Sequence, residues 1–128
     1  MKEKQLILKT IAAKYEEYFK EYSYWYDSLL RPWRKIYLYE HLFRIYSRCL
    51  NATYNKDLKE TIYDFSSDIN DAIKYIKQVK DNACKDYERL QREIDNFGYD
   101  RDVNRERIMY KKILEECDEL LKLINPIL

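Results

Sequence analysis

One glycine and two prolines among 128 residues restrict what this chain can fold into more than any other feature it has. Tight hairpin turns, dinucleotide crevices and phosphate loops rely on glycine for backbone angles that other residues resist. A chain built this way favours helices joined at few, short corners. With 46% hydrophobic residues and a formal net charge of +1, it has the apolar surface to fold and no charge excess to prevent it. The length suits a single helical domain over residues 1–128.

Apolar residues recur at helical spacing along nearly the whole chain. Leu8, Ile11, Tyr15, Tyr18, Tyr22, Trp25 and Leu29 step by three and four, which predicts a first helix from about Glu3 to Leu30. Pro32 lacks an N–H and ends it, but suits the first turn of a second helix running to about Thr53. Asn55 is positioned to cap a third helix, whose stripe Leu58, Ile62, Phe65, Ile69, Ala72, Ile76, Val79 and Ala83 alternates like coiled-coil heptads. After a stutter at Tyr87 the stripe resumes at Leu90, Ile94 and Phe97. The predicted helix therefore covers about 40 residues from Lys56, roughly 60 Å at 1.5 Å per residue. Gly98 stands where a left-handed residue would end it. Asp100 or Asp102 would cap a fourth helix ending at Asn125-Pro126. The expected fold is all-α, an antiparallel bundle of three to four helices around the long third one.

The apolar run Leu6–Leu8 is too short for a signal peptide, and no stretch approaches the ~20 apolar residues of a membrane span. A cytoplasmic protein without membrane contact is the reading that follows. Three widely spaced cysteines, Cys49, Cys84 and Cys117, point to reduced thiols buried beside the apolar stripes and not to a disulfide framework.

Twelve of the 20 aromatic residues lie between Tyr15 and Tyr46, more than a small core readily hides. Tyrosine and tryptophan supply large contact area at low entropy cost, which suits a protein-binding surface. Trp33, flanked by Arg31 and Arg34 at a helix junction and followed by Tyr37, is the expected anchor. The segment from Arg31 to Arg48 carries five basic residues and one acid, interleaved with aromatic rings, a pattern that also suits nucleic acid through phosphate neutralisation and base stacking. Residues 51–100 offset it with eleven acidic against eight basic groups. In a hairpin turning near Asn55, Arg48 would lie level with Glu60 and Arg44 with Asp64. Asp68 and Asp71 would then remain for a basic partner.

Arg34 and His41, an R-x6-H spacing, resemble the R-x4-6-H signature of HEPN-domain ribonucleases, also helical. The resemblance covers eight residues, and Lys35 stands where that family carries Asn, Asp or His. It implies that Arg34 would bind phosphate and His41 would assist attack by a ribose hydroxyl. The alternative role for His41 is a pair with Asp68. The acidic run Glu115, Glu116, Cys117, Asp118 and Glu119 lacks histidine and points around its helix, so it reads as a solvated face and not as a metal site. No cofactor or metal is expected. The function these features favour is a non-catalytic interaction module of adaptor, immunity or antitoxin, or mobile-element or phage inhibitor type. It would bind a protein through Trp33, Arg31, Arg34, Tyr37, Asp68 and Asp71, with a homodimer compatible. An RNA-binding or HEPN-like ribonuclease is the alternative, and a subunit of a helical oligomer, contacting through the third helix, is another.

Overall fold

Four helices, α1 (Lys2–Asp27), α2 (Trp33–Ser47), α3 (Ile69–Phe97) and α4 (Arg101–Ile124), make up most of a computed structural model that describes residues 2–128. A short 3-10 turn, Asn125–Ile127, follows α4. The first and fourth helices lie close to where periodicity puts them. Among the described residues no helix is long and apolar enough to cross a membrane.

The middle of the chain departs from expectation. α2 stops at Ser47, and two antiparallel strands follow, β1 (Leu50–Asn55) and β2 (Glu60–Phe65), with Leu50 opposite Phe65 and Asn55 opposite Glu60. The expected 40-residue helix is therefore one of 29 residues preceded by a hairpin, and the fold is a helical bundle with a small two-stranded sheet. The chain does turn near Asn55, but as a β-turn. The Asn55 side chain accepts the Leu58 N–H at 3.0 Å, and Lys59 takes the left-handed conformation (φ 53°) that glycine would normally supply. Leu58, Ile62 and Phe65 fit a helical stripe, yet Tyr54, Thr61, Tyr63 and Phe65 equally fit one face of a hairpin. β-branched Thr53, Thr61 and Ile62 favour the strand. Tyr63 then anchors it on α1, edge-on to Tyr15 with ring centroids 6.1 Å apart and donating its hydroxyl to Glu16.

α1 packs along α2, α3 packs along α4, and α2 faces α4 in the middle. Gly98 (φ 87°) ends α3, its N–H bonded to Ile94. Asp100 caps α4 by accepting the N–H groups of Asp102 and Val103. The main core brings together Ile7, Ile11, Leu42, Ile45, Ile76, Val79, Ile113, Leu120 and Ile124. Much of the α3 stripe is spent inside the chain, since Ala72, Ile76, Val79, Ala83 and Leu90 are all buried.

Among the described residues one charged side chain lies in this core. Glu116, expected on a solvated face, is only 3% exposed. It accepts the hydroxyl of Tyr18 from α1 at 2.7 Å and that of Tyr46 from α2 at 2.6 Å. Lys112 lies 3.4 Å away. A carboxylate with both oxygens satisfied is tolerable in the interior, where an unpaired one is not. It ties three helices at one point.

Candidate interaction surface

Arg34, in the first turn of α2, reaches Asp102, in the first turn of α4, at 3.5 Å. That contact brings the α1–α2 and α3–α4 turns to the same end of the bundle. The first turn presents Leu29, which is fully exposed, with Leu30 and Trp33; the second presents Phe97, 88% exposed, and Tyr99. Residues some 65 positions apart in sequence thus share one apolar end. Leu29 falls on the helical stripe in the sequence, but α1 has already ended at Asp27, so the residue turns outward.

The rings at this end are held by cations from the same turn. The Arg31 guanidinium lies 4.7 Å from the Tyr26 ring centre, Arg34 lies 5.0 Å from Trp33, and Lys35 lies 3.8 Å from Trp25. Such contacts contribute about 0.5–1 kcal/mol each at exposed sites and limit ring motion. Arg31 itself adopts a left-handed backbone (φ 39°) to make the turn. The Nε–H of Arg34 is buried without an acceptor, and Trp33 is half-exposed.

Every basic residue from Arg31 to Arg48 is engaged within the chain. Besides the three above, Arg44 pairs with Glu40 at 2.7 Å, and Arg48 lies over the Tyr75 ring at 4.5 Å. The expected pairs Arg48–Glu60 and Arg44–Asp64 do not form, because strand pairing sets Glu60 opposite Asn55 and Asp64 opposite Asn51. Rings, more than carboxylates, receive these cations, and a ring so covered offers no free face for stacking a base on that side.

Tyr37 and His41 sit further along α2, away from the turns. Their ring centres lie 4.1 Å apart with the planes tilted by 35°, and His41 Nδ1 lies 2.9 Å from the Tyr37 carbonyl. His41 therefore does not pair with Asp68. Both residues line a small recess of about 70 Å³, shared with Asn82 and Asp86 of α3 and Tyr110 of α4, over a floor of Val79, Ala83 and Ile113. Burial first, and then the neighbouring Tyr37 and Asp86, push the Tyr110 hydroxyl up from its ordinary value. The lining contains a carboxylate and no arginine or lysine, an environment that repels phosphate. Arg34, meanwhile, is occupied by Asp102 near the turn.

Asp68 and Asp71 lie at the opposite end, where α3 begins, roughly 43 Å from the Phe97 end at 1.5 Å per residue. Both belong to the first turn and its cap, and Asp71 raises the Asp68 carboxyl above its usual value by hydrogen bond and by charge. Of the six residues expected to bind a partner, Arg31, Trp33 and Arg34 share the apolar end, Tyr37 lies in the recess, and the two aspartates stand apart. Sequence reasoning passed over Leu30, Phe97 and Tyr99; apolar residues beside Pro32 and Gly98, the two corner residues, were the available signal.

Cys49 and Cys117 are buried and Cys84 is half-exposed, all three free. Among the described residues no cluster of His, Cys, Asp and Glu is placed to hold a metal ion. Compared with known proteins, the chain matches no family model, no curated protein and no solved structure.

Proposed function

We propose that this chain is a non-catalytic binding module that docks a protein partner on the apolar end formed by its two helix–helix turns. Adaptors, immunity or antitoxin factors and inhibitors of a host enzyme all work this way. The observation that carries the reading is the convergence of Leu29, Leu30, Trp33, Phe97 and Tyr99 at one end. Their combined exposure is on the order of 700 Å² at the ~150–250 Å² that an aromatic side chain presents, close to the ~800 Å² per partner of a standard interface. A patch of that size is large for a monomer's free surface. Aromatic residues and arginine are also the types enriched at interface cores. Because cation–π contacts already hold Tyr26, Trp25 and Trp33, little ordering entropy remains to oppose binding. A protein partner is favoured over RNA because the basic residues of the Arg31–Arg48 segment are taken up internally.

The test is a comparison of two baits in extract of the native host, each with and without nuclease treatment. One is the wild-type chain, and the other carries Leu30→Asp and Phe97→Asp, changes at exposed positions that leave helical circular dichroism unaltered. A protein retained by the first bait and lost by the second is the expected result. Equal retention by both, or retention that nuclease abolishes, refutes the assignment.

A further inference from the structure

The β-hairpin has two edges, and only one of them is protected. On β2, Asp64 accepts the N–H of Phe65 through its own side chain at 2.8 Å, Glu60 and Asp64 add charge, and Tyr63 is docked against α1. β1 has none of the devices that keep an edge strand from pairing: Leu50–Asn55 contains no charged residue, no proline and no bulge.

The direction of the β1 backbone follows from one hydrogen bond. The Ser66 N–H donates to the Cys49 carbonyl at 2.8 Å, so Cys49 and Ser66 form a hydrogen-bonded pair. In an antiparallel ladder such pairs alternate with non-bonded ones. Asn51, Thr53 and Asn55 therefore bond to β2, while the N–H and C=O groups of Leu50, Ala52 and Tyr54 point outward. The side chains of these same three residues share the face that carries Phe65, Tyr63 and Thr61. Tyr54, at the far end of that face, is 61% exposed.

We infer that β1 pairs with β1 of a second copy of this chain, antiparallel across a two-fold axis at Ala52. In this register Ala52 faces Ala52 of the second copy, and Leu50 faces its Tyr54. All outward groups of both strands then bond in pairs, giving a four-stranded sheet of order β2–β1–β1–β2. A shift by one residue would set the inward groups against the outward ones and place the apolar faces on opposite sides. The exposed Tyr54 comes to rest on the Leu50 of the other copy, beside its Phe65. Asn51 faces Thr53 on the opposite surface, a polar pair. Because β1 is uncharged, no like charges meet across the axis, which favours a second copy over a strand of charged sequence. A lone two-stranded hairpin is marginal in water, and two further strands supply what it lacks. This association is separate from the apolar end and survives the Leu30→Asp and Phe97→Asp changes.

Light scattering after gel filtration, over a protein concentration series, tests the pairing. Wild type is expected to run at twice the 15.9 kDa chain mass at the upper concentrations. Ala52→Lys sets two lysines face to face at the axis and weakens self-association on the order of a hundredfold. Its exposed position leaves the monomer fold, read by circular dichroism, unchanged. Register is read by mild oxidation in a Cys84→Ser background: Ala52→Cys forms a disulfide-linked dimer and Thr53→Cys does not. A wild-type monomer throughout overturns the proposal and leaves the edge for a strand of another protein. A dimer that persists in Ala52→Lys, or one that Thr53→Cys links equally well, also overturns it.

Discussion

Glu116→Ala removes the acceptor on which two buried hydroxyls depend. Tyr18 and Tyr46 donate to its two oxygens at 2.7 and 2.6 Å, and both are nearly inaccessible to water. Each stranded hydroxyl costs about 1–2 kcal/mol, and the lost Cγ methylene adds about 0.8 kcal/mol. Relief of carboxylate desolvation offsets about 1–2 kcal/mol, leaving a net loss of about 2 kcal/mol, or about 8 °C in Tm for a chain of this length. Replacing all three residues with apolar ones of similar shape, Glu116→Met with Tyr18→Phe and Tyr46→Phe, strands nothing and returns stability to within about 1 kcal/mol of wild type. Thermal and urea unfolding followed by circular dichroism measures both. A single variant that loses less than about 1 kcal/mol, or a triple variant no more stable than the single one, refutes the reasoning. Acid adds an independent check. Burial works to raise the Glu116 carboxyl, but hydrogen bonds from Tyr46 and Tyr18 and the charges of Lys14 and Lys112 outweigh it and hold the group below its ordinary value. A carboxyl lowered by folding contributes stability above its unfolded pKa, and that contribution is lost as pH falls through the folded value. The wild-type Tm therefore drops more steeply below about pH 4.5 than that of Glu116→Gln.

Lys59→Gly relieves a left-handed backbone (φ 53°) that costs a residue with a Cβ about 1 kcal/mol. The variant is expected to gain about 0.5 kcal/mol in urea unfolding once the greater freedom of glycine in the unfolded chain is subtracted, and a loss of stability would contradict the turn geometry. Thiol reactivity separates the cysteines: burial pushes Cys49 and Cys117 up to about 12. One fast equivalent of a thiol reagent, mapped to Cys84 by peptide mass, is expected in the native protein, with the other two reacting only on unfolding. Fast labelling of Cys49 or Cys117 would show the core to be open.

Legibility in the sequence was uneven, and the reasons are local. α4 and the stripe of α3 from Ile69 onward could be read because they run for many turns, with Gly98 and Asp100 marking the junction. The segment 50–65 could not. Over so few residues Leu58, Ile62 and Phe65 satisfy a helical period, while Tyr54, Thr61, Tyr63 and Phe65 satisfy a hairpin. Without glycine the turn was unmarked, since Lys59 bears the strain that glycine would have avoided. At the candidate surface, Trp33 with Arg31 and Arg34 stood out in the sequence as an aromatic and basic cluster. Phe97 and Tyr99 did not, because nothing local links them to Trp33.

Periodicity, corner residues and caps depend on neighbours a few positions apart. Such local signals placed the first, second and fourth helices, the stripe of α3 from Ile69 onward, and corners near Pro32, Asn55 and Gly98. Tertiary structure decided what depends on residues distant along the chain. Packing of α2 against α4 brings both turns to one end through Arg34 and Asp102, docking of Tyr63 on α1 holds the hairpin in place, and two tyrosines from other helices let Glu116 remain ionised in the core. In each case the stabilising partner lies tens of residues away, so only the folded arrangement makes the contact possible.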